Sequence, residues 1–235
     1  MLNEKAWGLV LSGGGGKGAY QAGVLKAITE MGVEITAISG ASVGALNATL
    51  FATHDIDSIV KIWLGIRPEI ALSQERLADL ISVNAIPYLM GQSKITCYVD
   101  AYNILMGKNE YFRLNDYKGE EIEKLLLASA ALPIIYPPVS FQKSLYWDGG
   151  MLDNTPIEIL YKQGYRNLLV SYLEPEEKME SYKNANVVAF APTEKWGFFE
   201  GTLNFEPKTI QKRIEQGYRE AKEKIKGVES MISMV

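Results

Sequence analysis

A serine set between two glycines, Gly40-Ala41-Ser42-Val43-Gly44, is a spacing that can present a hydroxyl as a nucleophile. An apolar, β-favouring run, Ile35 to Ser39, precedes it, and Val43, Ala45, Leu46, Thr49 and Leu50 follow it with a helical pattern. A strand that breaks sharply into a helix at G-x-S-x-G leaves its serine at the strand tip. There it lies beside the unpaired N–H groups and positive dipole of a helix start. Gly40 and Gly44 let neighbouring backbone approach without a Cβ collision. The plain alternative for such a pentapeptide is a bare turn.

A serine nucleophile needs a base. The chain has one histidine, His54, which lies 54 − 42 = 12 residues beyond Ser42. At about 1.5 Å per helical residue that is roughly 18 Å, out of reach of the serine oxygen. His54 is therefore expected at a helix end, and a Ser-His-Asp triad is excluded. Asp148, in Trp147-Asp148-Gly149-Gly150, is the candidate base, exposed by the two glycines after it. A carboxylate can serve if the proton moves as the bond to the carbonyl forms, in a dry site that already solvates the oxyanion. A type I′ turn is the alternative for Asp-Gly-Gly, and these residues alone leave both open.

The run Ser12-Gly13-Gly14-Gly15-Gly16-Lys17-Gly18 admits three readings. Gly13-x-Gly15-x-x-Gly18 matches a dinucleotide fingerprint, but that motif wants an acid at the end of the second strand, where this chain has Ser39-Gly40. A phosphate-binding P-loop fails because Gly18, not Ser or Thr, follows Lys17. The third reading is an oxyanion hole of glycine N–H groups. The elbow in the next βα unit favours it, since the two loops would then lie side by side at the C-terminal edge of a parallel sheet.

The elements that must position these residues follow from periodicity. Ala6 to Leu11 is a buried strand, and Ala19 to Met31 a helix closed by Gly32. With the elbow unit this gives an alternating βαβα beginning, and so a mainly parallel sheet with helices on both faces. Asp57 to Leu64 and Ser73 to Ile81 are short helices punctuated by Pro68 and Pro87. Ile95 to Val99 is a strand holding Cys97 as a small core residue, and Glu120 to Ser129 is a helix. A proline-rich loop, Leu132 to Val139, leads toward Asp148. Thr155-Pro156-Ile157-Glu158 reads as a capped helix start. Asn167 to Leu173 and Asn186 to Ala191 are strands around a polar loop, Glu174 to Asn184. An amphipathic helix, Pro207 to Ile232, carries Ile210, Ile214, Tyr218, Ala221 and Ile225 on one stripe. Nothing resembling a linker splits the chain, so residues 1–235 read as one domain.

Composition narrows the function. At 47% hydrophobic and 22% charged, with net charge −4 and pI near 5.3, the chain is an ordinary globular one. It lacks the basic patch of a nucleic-acid binder and any electrostatic pull toward anionic membranes. Lipid contact must then be hydrophobic. One cysteine permits no intrachain disulfide. The N-terminus lacks the apolar run of a signal peptide, and no stretch approaches the length of a membrane span. A cytoplasmic location is the expectation, with no metal and no cofactor.

Four blocks in order, SGGGGKGAYQAGVL, GASVG, ASAALPIIYPPV and DGGMLDNTPI, make the sequence resemble the bacterial patatin-like phospholipases. The resemblance covers most of the chain and extends to a C-terminal segment from Val187 with Gly217-Tyr218. It departs where some members have aspartate and this chain has Ser12, and residues 55–90 carry no transferable motif, which leaves substrate choice open. The resemblance implies a three-layer α/β/α fold and a lipid acyl hydrolase with a Ser42–Asp148 dyad. It further implies an oxyanion hole drawn from Gly13, Gly14, Gly15, Gly16 and Val43, with Lys17, Gly18, Gly40, Gly44, Gly149 and Gly150 as motif support. The partner would be a phospholipid or other fatty-acyl ester, met at a membrane or micelle surface. A catalytically silent lipid-binding module and, further off, a dinucleotide-dependent enzyme are the rival functions. Trp196, Phe198, Phe199 and Phe205 are either a lipid-touching flap or core, and packing favours core. Ile86 to Met90 has the same ambiguity.

Overall fold

The computed structural model describes residues 6–84, 86–175 and 182–232. Its centre is strand β1 (Trp7–Leu11), buried along its whole length. It lies parallel to β2 (Ile35–Gly40) on one side and β7 (Asn167–Ser171) on the other. Strand β8 (Asn186–Phe190) extends the parallel set beyond β7, and β3 (Thr96–Asn103) extends it beyond β2. Strands β1 and β7 are buried at every position and mainly apolar, as parallel strands covered on both faces must be. Side chains alternate between two cores. Leu9, Leu11 and Ile38 face one, Val10, Ala37 and Val170 the other.

The two helical layers are unequal. One face carries α1 (Gly18–Met31), α2 (Val43–Thr53), α3 (Ile56–Gly65), α7 (Glu120–Ser129) and the long α9 (Pro207–Ile232), which packs along α1. Ile210, Ile214, Ala221 and Ile225 of α9 are buried, as its stripe predicts. The other core is closed by the six-residue α8 (Ile157–Lys162) with Tyr165 and Tyr172. Gly32 ends α1 with φ 68°, the left-handed cap expected. The short helices α4 (Pro68–Ala71), α5 (Gln74–Val83) and α6 (Ile86–Met90) fill out the middle segment. Pro68 opens α4 rather than breaking a helix, as proline at a first turn does.

Past its first half the sheet changes character. Strand β3 ends four residues later than its apolar run predicts, continuing through Asp100 and Asn103. Along that extension it pairs antiparallel with β4 (Lys108–Arg113) on one edge and with β6 (Ser144–Asp148) on the other. Strand β5 (Val139–Phe141) completes a hairpin with β6. Since β4 overlaps both β2 and β6 along β3, it holds one edge alone, and β2 and β6 share the opposite edge. Val99 faces Gly40 of β2, and Ala101 faces Asp148 of β6. Strand β6 therefore occupies the edge that β2 vacates at residue 40, and the two strands point their C-terminal tips at each other.

One local expectation changes. Thr155 does not cap α8. Pro156 stands at the cap position without a side-chain bond, and the Thr155 hydroxyl instead pairs with Ser12 Oγ at 2.7 Å. Of the polar run Glu174 to Asn184, residues 176–181 lie outside the described residues.

Candidate active site

Ser42 sits at the turn between β2 and α2 with φ 53° and ψ −126°, a conformation that a non-glycine residue adopts at a cost of about 1–3 kcal/mol. The turn is fixed from several directions. Ser42 N–H donates to Ser129 Oγ at 3.0 Å, at the end of α7, and Ala41 N–H donates to Leu11 O at 3.3 Å. A Cβ on Gly44 would stand 2.1 Å from Leu11 O, and one on Gly40 2.4 Å from Gly44 C and O. Both positions admit only glycine because backbone passes where a side chain would begin.

The tip-to-tip meeting of β2 and β6 brings Asp148 to the serine. Asp148 lines the same cavity as Ser42, the serine hydroxyl lies close enough to help hold the carboxyl pKa down, and Gly150 N–H donates to Asp148 Oδ1 at 2.8 Å. Burial pushes its pKa up to about 6, and the nearby Ser42 hydroxyl and the Gly150 N–H oppose that rise. His54 ends α2 at the far end from Ser42, its Nδ1 2.7 Å from Thr53 Oγ1.

The glycine loop lies beside the elbow, with Leu11 opposite Gly40. It is less uniform than its sequence. Gly13 N–H donates to Asn154 O at 3.0 Å, so Gly13 is not an oxyanion donor. Gly14, Gly15 and Val43 line the cavity, and their N–H groups take no acceptor among the described residues. Gly16 is turned away from the cavity, its Cβ position 2.3 Å from Asn204 O. Lys17 is buried under the loop and ion-paired with Glu174. Gly18 opens α1, its Cβ position 2.5 Å from Val43 Cγ2. Cys97 is buried in the sheet, its thiol pushed up to about 12 by burial, and takes no part.

Several residues without an assigned role in the sequence hold this geometry. Asn154 joins the Asp148 loop to the glycine loop, its Nδ2 donating to Gly13 O at 3.3 Å. Behind the loops, Trp63 Nε1 donates to Asn47 Oδ1, Asn47 Nδ2 to Gln21 Oε1 at 2.8 Å, and Gln21 Nε2 to Ser12 O at 2.8 Å. Beneath Gly149, Asn109 Nδ2 donates at 2.7 Å both to Asp100 Oδ2 and to Gly149 O. The aromatic segment divides. Phe205 is buried, whereas Phe198 and Phe199 are exposed on a π-helical turn, Phe198–Thr202. That turn is held by the buried Arg213, which donates to Gly201 O, Asn204 O and Glu200 O. Burial lowers the Arg213 pKa to about 10. Ile86 and Met90 are core.

The cavity over Ser42 and Asp148 holds about 370 Å³ and is walled by apolar side chains. Ile62, Trp63, Ile66, Leu77 and Ile81, from the segment that carries no motif, supply much of the wall. No cluster of metal-ligating side chains occurs among the described residues. No helix among them is long and apolar enough to cross a membrane. The arrangement can attack an ester carbonyl, solvate the resulting oxyanion and shelter an acyl chain.

The family model "Patatin-like phospholipase" matches residues 9–83 and 69–161. Among curated proteins, the chain is 27% identical over 192 residues to lysophospholipase NTE1 of Scheffersomyces stipitis, covering 72% of this chain and 12% of that protein. It is 30% identical over 176 residues to lysophospholipase nte1 of Aspergillus terreus, covering 66% and 11%. The chain thus spans about an eighth of the length of these relatives. Among solved structures, VipD from Legionella pneumophila superposes with a TM-score of 0.62 at 17% identity, over 95% of this chain and 67% of that one. The type III effector protein ExoU superposes with 0.52 at 15% identity, over 94% and 53%. Both likenesses are of fold.

Proposed function

The chain belongs to the patatin-like phospholipase family, and on that premise we propose that it hydrolyses fatty-acyl esters of phospholipids or lysophospholipids through a Ser42–Asp148 dyad. One observation carries the reading. The strained Ser42 and the buried carboxylate of Asp148 line one apolar cavity, beside N–H groups of Gly14, Gly15 and Val43 that take no acceptor among the described residues.

In the first step Asp148 takes the hydroxyl proton as Ser42 Oγ bonds to the ester carbonyl carbon. The N–H groups of Gly14, Gly15 and Val43 take the oxyanion. Removing one such donor typically costs 10²–10³-fold in rate. Asp148 then gives its proton to the departing alcohol, leaving an acyl-Ser42 ester. Water, deprotonated by Asp148, attacks that ester, and the fatty acid leaves as the proton returns to Ser42. A base with pKa near 6 is ionised at neutral pH yet keeps enough proton affinity to accept, the compromise that efficient general bases strike.

The test is turnover of a short p-nitrophenyl ester, together with fluorophosphonate labelling. The expected result is one label on Ser42 and turnover abolished in Ser42→Ala. A parent rate equal to that of Ser42→Ala would make the chain a silent lipid-binding module instead.

A further inference from the structure

Segments that wall the cavity also push apolar side chains outward. Leu132, Ile135 and Tyr136 line it, and between them Ile134 is fully exposed. Met151 lines it and Leu152 is exposed, and Phe198 lines it and Phe199 is exposed. Ile134 bears two costs at once. Its φ is 76°, a backbone conformation in which a β-branched residue is an outlier, and its side chain meets only water. Neither cost is recovered among the described residues. We propose that Ile134, Leu152 and Phe199 form a docking surface for an electrically neutral lipid–water interface, which seats the cavity mouth against it. The inference rests on the acyl-site reading of the cavity. Neutrality follows from a net charge of −4 and the absence of a basic cluster, so apolar insertion must supply the attraction.

The test is co-sedimentation with phosphatidylcholine vesicles, alongside turnover of a soluble short-chain ester. Ile134→Asp and Phe199→Asp should each weaken vesicle binding roughly tenfold, as loss of one buried apolar side chain predicts. Soluble turnover should stay within about twofold, because neither residue lines the cavity. Ile134→Asn, which accepts the left-handed backbone, should also lose binding while melting no lower than the parent. Vesicle binding unchanged in all three variants, or parent binding confined to anionic vesicles, would overturn the proposal. Loss of soluble turnover in the parent would instead overturn the acyl-site reading.

A separate observation concerns Asp100, which sits on β3 between Val99, opposite Gly40, and Ala101, opposite Asp148. Asn109 Nδ2 bonds one oxygen of its carboxyl, and the remaining Oδ1 of Asp100 and Oδ1 of Asn109 are both buried without partners. Two buried acceptors on side chains already joined by one hydrogen bond can be satisfied by one proton. We infer that Asp100 is a neutral acid whose Oδ1–H donates to Asn109 Oδ1, closing an acid–amide ring under the Gly149 turn. A Cβ on Gly149 would lie 2.4–2.5 Å from the Asp100 carboxyl atoms, so the turn rests on this ring. Burial and the charges of Asp153 and Asp148 hold the proton on, and Tyr111, bonded to Asp153, is the other titratable group nearby. Asp100 is then a positioning residue for Asp148. Infrared difference spectra at pH 8 should show a protonated-carboxyl band in the parent and in Asp148→Asn that is absent in Asp100→Asn. Asp100→Asn, neutral and isosteric, should keep kcat and the acid limb of its pH profile within about twofold, whereas Asn109→Leu should lower kcat more than it raises KM. Absence of the band, or an acid limb displaced in Asp100→Asn, would show an ionised Asp100 instead.

Discussion

Strands β2 and β6 reach the same edge of β3 from opposite directions and are held there by different means. Strand β2 comes from the parallel half, between β1 and β3, with its last four residues buried. Its serine is fixed by backbone packed on backbone, with Leu11 O and Gly44 filling the space around the turn. Strand β6 comes from the antiparallel corner, with Leu145 exposed and Trp147 half-buried. Its aspartate is fixed by hydrogen bonds from Gly150, and its turn by Asn109 and Asp100 beneath. The nucleophile is thus positioned mainly by close backbone packing and the base by hydrogen bonds. Damage on the first side should unfold the elbow. Damage on the second should leave a folded protein with altered chemistry.

The largest effect should come from removing the reacting groups, one from each side. Ser42→Ala and Asp148→Asn should each lower kcat by about 10⁴-fold or more while melting near the parent, checked by steady-state kinetics and calorimetry. Asp148→Asn at near-parental rate would end the comparison. Gly44→Ala should be next. Its methyl would meet Leu11 O at 2.1 Å, so a loss of more than about 3 kcal/mol of stability is expected in denaturant unfolding. Gly15→Ala should lower the rate on the order of 10²-fold through the oxyanion site. It should also lower the melting temperature, because Gly15 has φ 56° and Thr202 O lies 2.3 Å from the new methyl. The smallest effect should be Ser129→Ala, which leaves Ser42 N–H without its acceptor. About 1 kcal/mol, or roughly fivefold in kcat/KM, is expected.

The same division explains what could be read from the sequence. In the parallel half, apolar runs at Ala6 to Leu11 and Ile35 to Ser39, with glycines beyond them, announce both the strands and the loops they feed. The antiparallel corner hides its strands. β3 continues through a buried Asp100 and Asn103, and β4, Lys-Asn-Glu-Tyr-Phe-Arg, has three polar residues before its two aromatics and no apolar alternation, so both resemble loop. Ser42 and Asp148 were nevertheless legible, because each lies in a short motif with its glycines. Ser129, Asn109, Asn154 and Arg213 were not. Each acts on a group distant in sequence, as Ser129 does on Ser42, and no local spacing records such a pairing. Gly13 shows the converse, since a glycine run does not say which N–H groups the fold has already used.

The central claim is that a carboxylate, not the lone histidine, carries the proton. It is tested most directly by the pH dependence of kcat/KM on a soluble short-chain ester, for the parent and for His54→Ala. Asp148 must be ionised to accept a proton, and burial has raised its pKa to about 6. The rate should therefore rise with pH through about 6 and level off above it, identically in the two proteins. An acid limb that shifts or vanishes when His54 is replaced would contradict the account.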